Sequence, residues 1–323
     1  MSEPELRLLT RSDLADIPIT VGEVLAAVRA AFVAVAEGRS ANPTKLAMPV
    51  AEHHSVAYAM LGYHRPDRLV GFKTSYRHDD RQVRYYTTLT LYDDATGLPV
   101  ALLDCARIGA LRTPATTALL VAASALPSAR TALLIGTGTQ GRAALPYLLT
   151  VLPGLTRLQV YGTHPAGLAA VRRELLSHFP GRAVEAVDDL DAAVTAADVV
   201  LAASGPQTAV RISTSGLRPG AVLADVGWGV AGSALRTADY ATATSAAQLG
   251  VTGRYLAGPD GRMRPVDAEL PELLTGRRPG RRTPADRVFA YNSGMVVTDV
   301  AVGRLLAERA IAAGRGRSVP LWS

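Results

Sequence analysis

The sequence predicts an α/β fold in which a doubly wound parallel sheet is joined to a separate, strand-rich α+β domain. Three observations predict it. A short apolar run, Ala132 to Ile135, enters a turn carrying Gly136, Gly138 and Gly141 and opens at once into a helical pattern. After that turn, strand-like and helix-like segments alternate, the signature of a parallel sheet layered with helices. Before it, short strand-like runs follow one another with few helices between them, which is not a doubly wound pattern. At 323 residues the chain is long enough for two domains, each with its own core.

In chain order, Thr20 to Gly38 carries apolar residues at helical spacing (Val24, Leu25, Val28, Phe32, Val35), with Thr20 as cap and Gly38 as stop. Ala47 to Val50, Val56 to Gly62, Val70 to Thr74 and Tyr85 to Tyr92 read as strands. Asp94 to Gly97 is a hairpin turn into a strand from Leu98 to Asp104. Thr113 and Pro114 read as the cap and first turn of a helix, which puts Arg112 beside a helix N-terminus, where charge and backbone amides both favour an anion. The alternative reading of Arg112 is a surface arginine. Further strands are expected at 132–136, 158–162, 183–187, 199–204, 222–227 and 288–293, with an amphipathic helix at Asp188 to Ala197 and a last helix from Gly294 to Ala313.

The spacing of the glycine turn carries chemistry. Gly136 permits the tight turn, Gly138 lets backbone approach a pyrophosphate, and Gly141 lets the helix pack on the strand. Thr139 and Gln140 complete the turn, and the unpaired N–H groups of the new helix face the phosphates. Such a turn alone also serves purely steric ends, but its place between strand and helix identifies a Rossmann dinucleotide site. In a parallel sheet, strand ends line the cofactor crevice, which adds Ser204 and Gly227. A second strand normally ends in an acid that grips the adenosine ribose. Here Leu158-Gln-Val-Tyr161 ends in Gly162-Thr163-His164. With no carboxylate to hold the 2′-hydroxyl or repel a 2′-phosphate, NADP(H) is preferred over NAD(H), with Thr163 and His164 as phosphate neighbours.

Composition narrows the class. Hydrophobic residues make up 48% and charged residues 19%, a globular balance, and no apolar run is long enough to span a bilayer. The first residues lack the basic-then-apolar order of a signal peptide. A single cysteine, Cys105, excludes an internal disulfide and fits a reducing cytoplasm; in its apolar run it reads as a buried, inert thiol. The formal net charge of +6 does not point to nucleic acid, because the basic residues are scattered. The one dense run, Arg277 to Arg282, is a Pro/Gly loop without aromatics. A small-molecule substrate is expected, with neither nucleic acid nor membrane as partner, and no metal site is read.

Seven stretches together resemble the ornithine cyclodeaminase/μ-crystallin family over nearly the whole chain. They are Asn42-Pro-Thr-Lys-Leu-Ala-Met-Pro49, Gly71-Phe-Lys73, Leu98 to Asp104, Arg112-Thr-Pro-Ala115, the glycine turn, Glu269 to Gly276 and Val288 to Asp299. The resemblance implies a Rossmann NAD(P)-binding domain at 116–293 and a substrate/dimerisation domain at 1–115 to which 294–323 returns, in a homodimer. It makes Lys73 the active-site lysine, Thr88 the substrate-binding threonine and Arg112 the holder of the substrate carboxylate. A lysine after an apolar strand, desolvated and next to Arg112, is suited to give a proton to an imine or carbonyl.

Three departures from the family pattern stand out. Lys45 replaces a second arginine of the carboxylate clamp, giving a point charge for a planar two-point contact. Gly229 stands nearest the position of the cyclodeaminase catalytic aspartate, and no acid is read nearby. Gln248 to Gly253 replaces a stretch that often carries an acid, while Trp228 is gained, as part of the pocket or as interdomain packing. The reading that results is an NAD(P)H-dependent reductase of an imine or imino acid, or the reverse amino-acid oxidation. Lys73 is the proton donor, Arg112 and Lys45 hold the carboxylate, and Thr88 orients it. The alternatives are an ornithine/lysine cyclodeaminase and a non-catalytic NADP(H)-dependent binding protein like μ-crystallin.

Overall fold

The computed structural model describes residues 5–78 and 84–322. It divides the chain into two compact units, one of residues 1–112 and 294–323, the other of residues 113–293. The strands are β1 (Leu6–Leu9), β2 (Leu46–Val50), β3 (Ser55–His64), β4 (Leu69–His78), β5 (Arg84–Asp93) and β6 (Pro99–Asp104), then β7 (Thr131–Ile135), β8 (Arg157–Tyr161), β9 (Glu185–Ala186) and β10 (Val199–Ala202). They continue with β11 (Val222–Asp225), β12 (Tyr240–Ala243), β13 (Ala268–Glu269), β14 (Val288–Tyr291) and β15 (Arg317–Val319).

Among the described residues the first unit holds a seven-stranded sheet in the order β15-β1-β6-β5-β4-β3-β2. Pairing from β6 to β2 is antiparallel, while β1 runs parallel to β6 and antiparallel to β15. One face of this sheet carries the helix Val296–Ala312, and the cross-strand pair Gly62↔Gly71 explains how close it lies. A Cβ on Gly62 would stand 2.9 Å from the backbone nitrogen of Val297, and one on Gly71 would fall 2.3 Å from a methyl of Val300. Glycine is therefore what lets helix and sheet meet there. The helix Val21–Ala36 is closed at its start by Thr20 and Glu23, which bond each other's backbone N–H groups, and at its end by Gly38 at φ +69°.

The second unit is the doubly wound parallel sheet. Its order among the described residues is β13-β12-β14-β11-β10-β7-β8-β9, with every pairing parallel. The central strands β7, β10, β11 and β14 are almost wholly apolar and buried, as strands covered on both faces must be. β1, β12 and the edge strands β13 and β15 carry too little periodicity to be anticipated from the sequence.

One local expectation is overturned. The helix near Arg112 begins at Ala106 and runs to Ser124, so Thr113 is no cap and Arg112 lies in the helix interior. Asp104 accepts the N–H of Ala106 at 2.9 Å and so starts the helix two turns early. Pro114 costs the helix one hydrogen bond at its fourth preceding carbonyl. Burial of Ile108, Ala115, Ala118, Leu120 and Val121 offsets that loss.

Candidate functional site

In the first unit, β4 and the helix Val296–Ala312 bring charges together. Lys73 is 7% exposed, and its Nζ donates to Oδ1 of Asp299 at 2.7 Å. Nε of Arg112 donates to the same oxygen at 3.0 Å. Asp299 is itself 1% exposed. Burial alone would push its carboxyl upward, but Arg112 and Lys73 outweigh it and hold the group below the ordinary carboxylate range. A buried carboxylate flanked by two cations is stable only as a paired set. Lys45, just before β2, joins them: its Nζ stands 3.5 Å from the carbonyl of Gly294, at the outer limit of a hydrogen bond. Burial, then repulsion from Arg112 and Lys73, brings its ammonium down to about 8. Gly294 has no room for a side chain, because a Cβ there would lie 2.7 Å from the Arg112 guanidinium.

Thr88 is not brought to this cluster. In the β4–β5 register Lys73 faces Leu89, while Thr88 faces Thr74, with the two hydroxyls 2.9 Å apart and exposed on the opposite side of the sheet. One residue of register reverses a side chain's face. Thr87 is the threonine on the Lys73 face, and its Oγ1 donates to Oγ of Ser75 at 2.9 Å. Cys105 is buried, and burial pushes its thiol up to about 12, which keeps it unreactive at neutral pH.

In the second unit the dinucleotide candidates gather at the carboxyl ends of β7, β8, β10 and β11. Gly136 sits at φ +101°, and a Cβ on it would strike the backbone of Ala203 and Ser204. A Cβ on Gly141 would lie 2.1 Å from the carbonyl oxygen of Gly136. Gly138 differs: it caps the helix Thr139–Val151, and the space where its side chain would be is open. A turn closed on two sides and open at the helix start fits a pyrophosphate against backbone N–H groups. Thr139 is exposed at this start, with Gln140 behind it; Thr163 and His164 are exposed after β8. Ser204 and Trp228 exchange backbone hydrogen bonds at 3.0 and 3.3 Å, which fixes Gly227 between them and leaves Trp228 41% exposed.

Four residues before Gly229 the chain carries an acid that the sequence reading did not weigh, Asp225, the last residue of β11. It is 2% exposed and accepts the hydroxyl of Tyr255. Burial raises its carboxyl to about 7, against the lowering effect of Tyr255 and the Gly227 N–H. Gly229 itself sits at φ +116°, a conformation that strains any side chain. Asp299 was also missed, although an acid among Val296, Val297, Val300 and Val302 is itself a sign of a buried partner. Among the described residues no cluster could hold a metal ion, and no helix is long and apolar enough to cross a membrane.

The profile of the Ornithine cyclodeaminase/mu-crystallin family matches residues 8–314. An NAD(P)H-dependent anabolic L-arginine dehydrogenase of Pseudomonas aeruginosa is 30% identical over 303 residues, spanning 88% of this chain and 91% of that protein. Two solved structures share the fold. The Thermococcus litoralis Δ1-pyrroline-2-carboxylate reductase with NADH and L-proline has a TM-score of 0.79 at 21% identity, over 97% of this chain and all of that one. An archaeal alanine dehydrogenase dimer with bound NAD has a TM-score of 0.78 at 18% identity, over 98% and 100% of the two chains.

Proposed function

Since this chain belongs to the ornithine cyclodeaminase/mu-crystallin family, we propose that it is an NAD(P)H-dependent reductase of an imine or imino acid, or runs the reverse amino-acid oxidation. The observation that carries the reading is the shared carboxylate: Asp299 holds Lys73 and Arg112 at one point on one face of the first unit. The dehydrogenase relative supports it, as does the glycine turn of the second unit.

When bound, the nicotinamide dinucleotide supplies the hydride. Arg112 and Lys45 hold the substrate carboxylate, Arg112 by a planar fork and Lys45 by a point charge. Lys73 gives its proton to the imine nitrogen, so that the C=N carbon becomes electrophilic, and regains one from solvent after the C–H bond forms. Asp299 stays ionised throughout and keeps Lys73 aimed. Thr87 takes the orienting role, because it shares the Lys73 face. Position 229 holds glycine at φ +116°, a backbone conformation that would strain the aspartate a cyclodeaminase needs there.

NADP(H) is the preferred dinucleotide in this reading, because β8 ends without a carboxylate and leaves Thr163 and His164 exposed. The exposed outer face of the first sheet, with Leu46, Met48, Tyr76 and Tyr86, is assigned to a homodimer. A reducing cytoplasm belongs to the same reading, which the buried, free Cys105 thiol supports. Oxidation of NADPH by the purified protein with cyclic imino acids tests the reaction. Lys73→Ala is expected to lower kcat at least about a hundredfold, on the scale of general-acid catalysis, while dinucleotide binding persists. Unchanged turnover in that variant would remove Lys73 from the mechanism.

A further inference from the structure

In the second unit, β11 is apolar and buried from Val222 to Ala224 and then ends in an acid, Asp225, that is buried with them. An acid in that position costs more than another valine, and what it adds is two acceptor oxygens. The carboxyl takes the hydroxyl of Tyr255 and the N–H of Gly227. Gly227 belongs to residues 226–230, which leave the carboxyl end of β11, and Tyr255 to the turn Arg254–Leu256, which follows β12 in the chain. Asp225 therefore joins the strand end to a residue 30 positions on.

Residues 226–230 are bonded differently on their two sides. Toward β10 the backbone continues the sheet: Val226 and Gly227 donate to the carbonyl of Ala202 at 3.0 and 3.2 Å, and Trp228 to that of Ser204 at 3.3 Å. Toward β14 the pairing closes at Asp225, whose carbonyl accepts the N–H of Asn292 at 3.0 Å. Beyond that point the Asp225–Tyr255 bond is the brace. The turn stands on this side, because a Cβ on Gly253 would meet the Tyr291 ring of β14 at 3.4 Å. It also presses on the chain just past the stretch, where a Cβ on Gly232 would lie 2.8 Å from the Tyr255 carbonyl oxygen.

Dinucleotides lie across the carboxyl ends of such a sheet, and residues 226–230 continue from one of those ends with the Trp228 side chain exposed among them. We propose that Asp225 and Tyr255 are positioning residues of the dinucleotide site: their bond fixes residues 226–230 as the wall against which the nicotinamide half of the cofactor rests. The inference rests on the dinucleotide reading of this edge. Both side chains act through the backbone from Gly227 to Gly229 and not by touching the cofactor. A loosened wall costs the ring its seat and leaves the adenosine half, held at the ends of β7 and β8, as it was.

The test compares two ligands by calorimetry: NADP⁺, and ADP-ribose 2′-phosphate, which lacks only the nicotinamide ring. Tyr255→Phe keeps an exposed ring and removes its hydroxyl; Asp225→Val removes the carboxyl. Each should weaken NADP⁺ about threefold to tenfold, on the scale of one hydrogen bond, and change the ring-less ligand less than about twofold. The double variant should be no weaker than either single one, because both remove the same bond. Asp225→Asn, which keeps an acceptor, should bind NADP⁺ as the native protein does. Asp225→Val should unfold in urea no earlier than the native protein, since an apolar strand residue replaces a buried acid. Equal weakening of both ligands, or native NADP⁺ affinity in Tyr255→Phe, would overturn the proposal and leave the dinucleotide site standing. So would an affinity loss that follows urea stability across the variants. Failure of the native protein to bind NADP⁺, NAD⁺ and the ring-less ligand alike would overturn both.

Discussion

Lys45 carries the charge in the Lys73 cluster that changes nearest neutral pH. Held down to about 8 by burial and by Arg112 and Lys73, it is charged below that pH and neutral above it. Affinity of the free enzyme for a carboxylate substrate should thus fall as pH rises through about 8. Lys45→Arg keeps its charge and restores the planar contact, so its pH profile should lose that fall. Its KM should drop roughly fivefold to thirtyfold, the worth of about 1–2 kcal/mol in a charged hydrogen bond. Steady-state kinetics between pH 6 and 9.5 on both proteins decides this. Asp225 is shifted the other way, upward. Its carboxyl titrates at about 7 in the fold and near 3.9 when unfolded, so between those values the native state holds a proton that the unfolded chain releases. The stability contributed by Asp225 is complete below about pH 4, declines as pH rises through the window, and levels off above 7. Asp225→Asn keeps an acceptor for Tyr255 and removes the titration. The variant should gain on the native protein by a few kcal/mol, to order of magnitude, between pH 4 and 8 in chemical denaturation. A constant difference across that range would show that Asp225 is ionised throughout.

At the scale of elements, the contact between the helix Val296–Ala312 and the sheet sets the geometry of the charges. Asp299 reaches Lys73 because Gly62 and Gly71 let the helix backbone settle onto β3 and β4. Gly62→Ala would place a methyl group 2.9 Å from the Val297 nitrogen, where a backbone and not a flexible side chain must yield. It should destabilise the protein by about 1–3 kcal/mol in thermal or urea unfolding, the usual cost of overpacking. It should also lower kcat, because the shift loosens the Asp299 contact. Full activity with reduced stability would separate the helix position from the chemistry. The helix Ala106–Ser124 shows how far tertiary burial outweighs a local signal, since Thr113-Pro114 reads as a helix start and lies inside the helix. The strand signals were legible because alternation is local, whereas the face of Thr88 depended on the pairing of two strands across a turn.

For the molecule as a whole, the outer face of the first sheet makes a further prediction. Leu46, Met48 and Tyr86 are 72%, 61% and 66% exposed on it, a group of large apolar side chains on one face. Light scattering should find a dimer, and Met48→Glu should give a monomer with an unchanged circular dichroism spectrum. A native monomer at micromolar concentration would remove the homodimer.

By itself the sequence determined the doubly wound sheet, the glycine turn with its strand and helix, and the cations Lys45, Lys73 and Arg112. The sheet and the turn are written in neighbouring residues whose spacing has a direct mechanical meaning, whereas the three cations stand out through the resemblance of their motifs to the family. Only the tertiary structure decided which groups those cations meet. Asp299 lies 226 residues from Lys73 in the chain, and Tyr255 lies 30 from the carboxyl it binds. It also decided that Thr87, and not Thr88, shares the lysine's face. A charge partner and a strand face depend on which distant backbones pack together and in what register, and no local period records that.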